Sequence, residues 1–437
     1  MENSAAIVTV PMVSEAELIS KLTRRLIPFM FVLYIAAYLD RINVGFAALQ
    51  LNQALNFDPE VFGLGAGIFF IGYFIFEIPS NLVMERVGAR IWMARILVTW
   101  GIISSAMMFV NGVFTFYVLR FLLGIAEAGF FPGMILYLTY WFPAEARGRA
   151  VARFMTATAI AGVIGGPVSG LLLRMDRVGG LAGWQWLFLI EGIPAIVLGF
   201  VAFVYLPDGP ERAAWLSAEE KSWIVSRLRD ERLAKRHHGH ESVRGALGSG
   251  RIWTLAFIYF AVVMSFYGIS LWLPQIIRFF SGLSDLAVGF VSAIPWIAAS
   301  FGMVLIGRSS DRTGERRWHI AMSAFAGAAG LVAAGFLDAP AAQLAALSLA
   351  AVGIWGTMGP FWAMSSDFLS GTGAAAGIAL INSIGNLGGF LGPYLVGLVR
   401  SRTENFSLAL IALAVWPLIG CLVTLAFRPR STYRVTI

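Results

Sequence analysis

Charge and cysteine are both scarce in this sequence of 437 residues. Only 13% of the residues are Asp, Glu, Lys or Arg, about half the share in soluble domains, whereas 58% are hydrophobic. The one cysteine, Cys421, excludes a disulfide within the chain and a cysteine-based metal or redox site. The composition therefore indicates an integral membrane protein.

Several functional motifs are absent as well. The sequence has no phosphate-binding glycine loop, catalytic triad pattern or zinc-ligand spacing, so we expect neither an enzyme nor a cofactor nor a resident metal. "HHGH" at 237–240 lies in a charged segment without further ligands, which favours a solvated loop over a metal site. The first basic residue is Lys21, so we expect no cleavable signal before the first apolar stretch.

Long apolar stretches, in contrast, recur along the whole chain. A helix that spans a membrane needs about 20 apolar residues. Twelve stretches meet this requirement: 26–48, 61–82, 90–111, 114–141, 148–173, 185–206, 251–279, 286–307, 317–337, 342–364, 373–399 and 405–427. We therefore predict an all-α integral membrane protein with twelve transmembrane helices in two pseudo-symmetric six-helix halves.

The long charged stretch 207–250 separates the two predicted halves. It makes residues 1–206 an N-terminal half and residues 251–437 a C-terminal half, with a cytoplasmic loop between them. Most Lys and Arg residues fall on the side of this loop, which indicates that this side and both termini are cytoplasmic. We expect a monomer in the bacterial inner (plasma) membrane, in contact with lipid. Because the basic residues mark topology, the net charge of +7 does not call for nucleic acid.

Two pairs of segments repeat with the same offset of 226 residues. "ERVGAR" at 85–90 matches "DRTGER" at 311–316, and "GVIGGPVSGLLLR" at 162–174 matches "GGFLGPYLVGLVR" at 388–400. A shared offset indicates a duplicated six-helix unit, a layout in which transporters bind substrate between the halves. We expect the Gly-Pro segments to serve as packing and hinge elements.

The first repeat lies at turns after the second and eighth spans. We predict that its charged residues latch one conformational state through salt bridges and contacts with helix ends. These predicted gating residues are Glu85, Arg86, Arg90, Asp311, Arg312 and Arg316. The alternative is that they serve only as orientation signals.

Four charged residues stand out deep inside the predicted spans, where each costs about 2.5–3.5 kcal/mol on insertion scales. We predict that Arg41 and Arg120 bind an anion, since a guanidinium holds a carboxylate with two hydrogen bonds. Asp40 and Glu127 would carry protons. The alternative is a salt-bridge network that only joins the first and fourth spans. Glu77, near the cytoplasmic end of the second span, is a weaker candidate.

The C-terminal half lacks these charges. At the offset of 226, Asp40 and Arg41 correspond to Phe266 and Tyr267, so this half would supply shape, aromatic rings and amides. The remaining predicted substrate-binding residues are Tyr73, Tyr267, Trp355, Trp362, Asn382 and Asn386. Glu191 and Asp367 lie near predicted span ends, where solvation or helix capping is the expected role.

Five segments in both halves carry a family resemblance: "YLDRINVGFA" (38–47), "GYFIFEIPSNLVMERVGAR" (72–90), "RFLLGIAEAGFFPG" (120–133), "WLFLIEGIPA" (186–195) and "SGTGAAAGIALINSIGNLGGFLGP" (370–393). Together they resemble the major facilitator superfamily and, within it, the anion:cation symporter family. Bacterial tartrate, phthalate and 4-hydroxyphenylacetate permeases are the nearest in character, and galactonate carriers are more distant. The resemblance implies the major facilitator fold.

The resemblance also implies roles for individual residues. Arg41 would contact the substrate carboxylate, and Asp40 would match the first-span proton site. Arg120 and Glu127 would belong to the proton-coupling network. The eleventh-span residues that complete the site would be Asn382 and Asn386. One departure is "TATAIAG" at 156–162, where galactonate-type carriers place a glutamine, so a less hydroxylated or aromatic acid fits better than a sugar acid.

We predict a proton-coupled symporter that imports a small organic carboxylate anion by alternating access, with protons as the coupling ion. The alternatives are an organic-anion exchanger, a drug exporter and a membrane nutrient sensor. "GVIGGPVSG" at 162–170 resembles the motif of drug antiporters, but a cationic drug would meet Arg41 and Arg120 unfavourably. A sensor would need a partner surface, for which 207–250 is the candidate.

Overall fold

A computed structural model describes residues 14–237, 248–368 and 372–427. The described chain forms fifteen α-helices: α1 Glu15–Ala54, α2 Pro59–Val87, α3 Ala89–Ala106, α4 Val113–Glu127, α5 Phe130–Thr139, α6 Ala144–Leu173, α7 Gly183–Tyr205, α8 Ala218–His237, α9 Gly250–Ser281, α10 Asp285–Thr313, α11 Arg317–Phe336, α12 Pro340–Gly356, α13 Met358–Phe368, α14 Thr372–Thr403 and α15 Phe406–Ala426. Short 3₁₀ turns lie at Met107–Phe109, Val178–Gly180 and Pro210–Arg212.

Eleven helical segments of the described chain are long and apolar enough to cross a membrane, and they match eleven of the predicted spans. The other predicted span, 373–399, is α14, a helix of 32 residues. Asn382, Asn386 and several glycines lower its mean hydropathy. Because α14 packs against both α2 and α9, it does not need an apolar surface on every side. The predicted all-α membrane fold is confirmed.

The fourth predicted span is two helices rather than one. α4 ends at Glu127, and α5 begins at Phe130 after Gly129, whose φ of 84° lies in the left-handed region. A Cβ atom at Gly129 would lie 2.3 Å from the Ser80 hydroxyl oxygen, so both the backbone and the space require glycine. The break places Glu127 at a helix end in the interior of the protein. Interrupted helices of this kind are common where transporters bind ions or substrates.

Two pairs of helices make the most extensive contacts between the first set, α1–α7, and the second set, α9–α15. α6 packs on α10, where a Cβ atom at Gly166 would lie 2.3 Å from the carbonyl oxygen of Gly289. α14 packs on α2, where a Cβ atom at Gly63 would lie 2.6 Å from the carbonyl oxygen of Pro393. One copy of the Gly-Pro repeat lies in α6 and the other in α14, so each pair contains one copy. This agrees with the packing role predicted for the repeat. A hinge role for it, and the status of each set as a domain, stay predictions.

The segment 207–250, predicted as a loop, contains the helix α8. α8 is bound to the first set by salt bridges from Lys21 to Glu220, at 2.7 Å, and from Arg147 to Glu231, at 3.1 Å. Spaced acidic and basic residues along α8 support a solvated helix that apolar periodicity does not reveal. We call the side of the bundle on which it lies the α8 side. Of the "HHGH" segment, 238–240 lies outside the described residues.

Candidate functional site

Arg41 lies where α1 of the first set meets α9 of the second. Its Nη2 forms a salt bridge with Glu127 Oε1, and its Nη1 donates a hydrogen bond of 3.3 Å to the Tyr267 hydroxyl. Tyr267 is also the residue that the offset of 226 pairs with Arg41. A residue that contacts its own repeat counterpart lies beside the axis relating the two copies. The structure therefore places Arg41, Glu127 and Tyr267 at the centre of the molecule, between the two sets.

Aromatic rings surround the guanidinium of Arg41. Its Cζ lies 5.6 Å from the ring centroids of both Phe69 and Tyr73, within range of cation–π attraction. The Tyr267 ring lies 4.3 Å from that of Phe70, between centroids. Two of these rings, Tyr73 and Tyr267, were predicted site residues, and the structure brings both to Arg41.

A second run of rings extends from Tyr267 through the second set. Neighbouring centroids are 4.9 Å apart between Tyr267 and Phe266, 4.3 Å between Phe266 and Trp355, and 4.9 Å between Trp355 and Trp296. The run ends at Tyr38 of the first set, 5.7 Å from Trp296. It connects the predicted residue Trp355 to Arg41 by contact. Sequence reasoning missed Trp296 and Tyr38, which carry no charge or repeated motif.

Several buried polar atoms of this region have no hydrogen-bond partner among the described residues. They are Arg41 Nε, Glu127 Oε2, Trp355 Nε1, the Tyr38 hydroxyl and the Thr158 hydroxyl. Buried polar groups normally find a partner, so such atoms need an explanation. Most are donors, which is the capacity that an oxygen-rich anion would use. We call Arg41, Glu127, Tyr267, Tyr38, Thr158 and Trp355 the interface cluster.

Asp40 points away from Arg41, into the first set. Trp100 Nε1 donates a hydrogen bond of 2.6 Å to Asp40 Oδ2. The Asn43 amide, at 3.1 Å, and the Ser104 hydroxyl donate to Oδ1. The two neighbouring charges therefore diverge, and the partners of Asp40 on α3 were not predicted.

A second carboxylate, Glu191, lies in the same interior. Its Oε1 accepts a hydrogen bond of 3.0 Å from the Ser169 hydroxyl, and its Oε2 has no partner among the described residues. The expectation of a solvated or capping Glu191 is wrong. Glu191 lies eight residues inside α7, which begins at Gly183, and its side chain is buried. The side chain of Asp367, assigned the same role, lies outside the described residues. We call Asp40, Asn43, Trp100, Ser104 and Glu191 the interior cluster.

Arg120 is buried but bonded to backbone. Its Nε donates to the carbonyl oxygen of Gly65 at 3.2 Å, and its Nη2 to that of Ala66 at 3.0 Å. Its Cζ lies 5.0 Å from the centroid of Phe69. Arg120 therefore braces α4 against α2, and Glu127, on the same helix, pairs with Arg41 instead.

The two asparagines of α14 contact Glu77 of α2. Asn382 Nδ2 donates to Glu77 Oε1 at 2.7 Å, and Asn386 Nδ2 lies 3.4 Å from Oε2. Glu77 is buried, although its position in the sequence predicted proximity to the cytoplasmic surface. Trp362 packs in a separate group on Tyr259, with centroids 5.0 Å apart. None of these three predicted residues has a described contact with the Arg41 guanidinium, and their roles stay predictions.

The predicted gating residues lie at two helix-to-helix turns on the α8 side. Arg316 Nη1 donates to Asp311 Oδ1 at 2.6 Å. In the other copy, Asp208 accepts a hydrogen bond of 3.0 Å from the backbone N–H of Arg90 and so caps α3, a role that sequence reasoning missed. The other three, Glu85, Arg86 and Arg312, are exposed. Their function in gating stays a prediction.

The chain matches the family model "Major Facilitator Superfamily" over residues 30–393. A protein of Agrobacterium vitis whose name assigns it to tartrate transport is 50% identical over 94% of this chain and 91% of its own length. The "Quinolone resistance transporter" of Acinetobacter baumannii is 44% identical over 94% of both chains.

Among solved structures, a bacterial homologue of the human lysosomal transporter Spinster, inward-facing and occupied, matches with a TM-score of 0.77 at 15% identity. The match covers 92% of this chain and 95% of that one, and it shows the fold. The names of the relatives agree with the resemblance to anion:cation symporters. They are transporters rather than enzymes. The chain belongs to the major facilitator superfamily and is a multi-pass secondary transporter of that type.

Proposed function

We propose that this protein imports a small organic carboxylate together with protons, as a symporter that works by alternating access. The observation that carries the proposal is the buried Arg41–Glu127 ion pair between the two helix sets, beside polar atoms without partners. Tartrate, in the name of a relative that is 50% identical, is a small hydroxy dicarboxylate. It supports a carboxylate as substrate, though not this acid in particular.

Competition for Arg41 would couple the anion to the proton. An incoming carboxylate forms a forked pair with the guanidinium and displaces Glu127. The released Glu127 stays buried but loses its described salt bridge, and so it takes up a proton. Anion binding and proton binding then assist each other. Release of the anion and the proton on the other side of the membrane lets Glu127 pair with Arg41 again.

Asp40 supplies a second proton site in this scheme. One proton per monoanion makes the cycle electrically neutral. A second proton moves one net charge, worth about 2.3 kcal/mol per 100 mV, or about 45-fold in accumulation. Electrode recordings from reconstituted vesicles distinguish the two cases, since the neutral cycle evokes no current under any substrate gradient.

The cycle would operate in the bacterial inner membrane, in a monomer with both termini and α8 on the cytoplasmic side. This orientation is supported by the basic residues on the α8 side, among them Lys21 and Arg147, which hold α8 to α1 and α6. Protons entering from the periplasm would then drive uptake into the cell.

The Glu127→Gln variant in proteoliposomes tests the coupling. A thermal-shift screen against hydroxy, dicarboxylic and aromatic acids first selects the substrate. We expect Glu127→Gln to lose pH-driven uptake at least tenfold and to keep counterflow, because glutamine cannot exchange a proton. The same change at the partly exposed Glu60 is the matched control and should leave both rates unchanged. Full pH-driven uptake by Glu127→Gln would overturn the symport scheme and favour anion exchange.

Drug export is a second candidate because of the relative named "Quinolone resistance transporter". It predicts proton-driven extrusion of the drug, in the direction opposite to acid uptake. Measurement of drug efflux from the same vesicles under a reversed pH gradient distinguishes drug export from acid uptake. A response restricted to cations or neutral drugs would contradict an anion site at Arg41.

A further inference from the structure

α2 and α14, which join the two helix sets, are tied by a glutamate at each end of their contact. Towards the side opposite α8, the Tyr394 hydroxyl donates a hydrogen bond of 3.3 Å to Glu60 Oε1. Towards the α8 side, Glu77 accepts from Asn382 at 2.7 Å, and Asn386 lies at 3.4 Å. The same helix pair therefore contains one buried tie and one partly exposed tie.

The buried tie suits an ionised carboxylate. Asn382 Nδ2 and Asn386 Nδ2 donate to the two oxygens of Glu77, so each oxygen acts as an acceptor in this arrangement. Protonation would remove the negative charge that strengthens both hydrogen bonds and would place an O–H donor on one of the two oxygens, so the contact with the asparagines would weaken. At the partly exposed Glu60, water can replace a lost partner, whereas only 5% of Glu77 is accessible.

The surroundings of Glu77 contain few other charges. Arg41 of α1, Tyr259 of α9 and Tyr73 of α2 interact with it electrostatically. α14 contributes the uncharged Asn382, Asn386 and Ser383. Arg41 is the one permanent charge of this group, and it is the residue that the proposed substrate would neutralise. The state of Glu77 is thus open to influence from the interface cluster.

Glu77 lies between Arg41 and the α8 side. Along α2, the close glycine contacts with α14 are those of Gly63 and Gly67, which precede Tyr73, the residue that contacts Arg41. Glu77 follows Tyr73 by one helical turn. Its bonds to α14 are therefore the described polar contact of this pair that lies nearest the α8 side. Breaking them would open a path from that side to Arg41 without disturbing the glycine contacts.

We propose that Glu77 is a further carboxylate of the transport cycle: ionised, it holds α2 against α14 on the α8 side of Arg41, and protonated, it releases them. This inference rests on the proposed function, because the cycle requires the path to Arg41 to open and close. Asn382 and Asn386 then act as the partners of a proton-sensitive gate. Asn382 and Asn386 would then be able to bind substrate, as predicted, only while they are not hydrogen-bonded to Glu77.

Thiol labelling measures this gate without substrate or proton gradient, so its outcome is independent of symport. The single cysteine is removed by Cys421→Ser, and a reporter is introduced by Thr158→Cys in the interface cluster. A membrane-impermeant maleimide is applied from the α8 side. Each rate is divided by that of an exposed reference, Ala214→Cys, which corrects for ionisation of the thiol at different pH.

We expect Glu77→Gln to raise the normalised rate at least tenfold at pH 8, and Glu60→Gln to leave it unchanged. With Glu77 intact, the rate should rise as the pH falls from 8 to 6. Asn382→Ala combined with Asn386→Ala should give the fast rate at every pH, which tests the gate even if Glu77→Gln folds poorly. Equal rates for Glu77→Gln and Glu60→Gln, or a pH response that survives in Glu77→Gln, would overturn the proposal.

Discussion

Asp40 and Arg41 are neighbours in the chain, yet they belong to two polar clusters with opposite properties. In the interior cluster, three donors surround Asp40, and the contacts stay within the first helix set. In the interface cluster, Arg41 joins the two sets and lies among polar atoms without partners. The comparison teaches that burial of charge alone does not mark a binding site. In the proposed function, the binding site is distinguished by unused hydrogen-bonding capacity at the contact between the two sets.

Helix geometry produces this difference. Successive residues of α1 point about 100° apart, so one can face α3 while the next faces α9. The two adjacent residues of α1 therefore belong to different networks: Asp40 to the interior cluster and Arg41 to the interface cluster. Asp40 has no described contact with Arg41 but interacts electrostatically with Glu127, which contacts Arg41 directly.

Replacing Arg41 by lysine should have the largest effect of the changes considered. Lysine keeps the charge but loses the planar fork that holds a carboxylate by two bonds. We expect the affinity for the acid to fall by about 1.5–3 kcal/mol, or about 10- to 150-fold, as measured by titration calorimetry.

Arg120→Lys is the matched control for that experiment. Arg120 donates to two carbonyl groups of α2, so its replacement should lower the thermal unfolding midpoint and leave acid affinity within about twofold. If Arg120→Lys weakened acid binding as strongly as Arg41→Lys, the anion site would include both arginines, as the sequence alone had predicted.

Asp40→Asn should affect stability more than affinity. An asparagine at this position turns one of its two oxygens into an N–H donor opposite the existing donors of Trp100, Asn43 and Ser104. The loss should be about 1–3 kcal/mol in the free energy of unfolding, with acid affinity unchanged. Proton-driven uptake should fall while counterflow persists. Weakened acid binding would show that the two clusters are one site.

The sequence was sufficient to predict that four of the charged residues are buried. Asp40, Arg41, Arg120 and Glu127 each interrupt an apolar stretch too long to leave the membrane, so burial follows from length and composition. Tyr267 was predicted because the repeat offset relates it to Arg41. These inferences need only local composition and internal symmetry, both of which are properties of the chain itself.

The hydrogen-bond partners of the buried charges could not be predicted from the sequence, because they depend on how the helices rotate and pack. Trp100 reaches Asp40 from 60 residues away, and nothing in its periodicity distinguishes it from a lipid-facing tryptophan. Glu77 and Glu191 were misjudged because distance from a predicted span end was taken as exposure. α2 continues for ten residues beyond Glu77, and neighbouring helices cover both carboxylates.

Two tryptophans give a smaller but well-matched test. Trp100 donates to Asp40, whereas Trp355 Nε1 has no partner among the described residues. Phenylalanine removes the N–H from each and keeps an aromatic ring. We expect Trp100→Phe to lower the unfolding midpoint without changing acid affinity. Trp355→Phe should leave the midpoint unchanged and weaken acid binding by about 2- to 13-fold, equal to about 0.5–1.5 kcal/mol for one hydrogen bond. The reverse pattern would contradict the assignment of ligand binding to the interface cluster.

Glu191→Gln should have the smallest effect. It tests whether one or both carboxyl groups of the interior cluster, Asp40 and Glu191, are ionised. Glu191 accepts one described hydrogen bond, from Ser169, whereas Asp40 accepts three. Glutamine keeps the length of the side chain and an oxygen that can accept the hydrogen bond from Ser169. We therefore expect an unfolding midpoint within error of the parent protein, with Glu191→Ala as the disruptive control because it leaves Ser169 unpaired. A loss in Glu191→Gln as large as that in Asp40→Asn would mean that both carboxylates are ionised. The interior cluster would then hold two negative charges, with Arg120 as the cation that interacts electrostatically with Asp40.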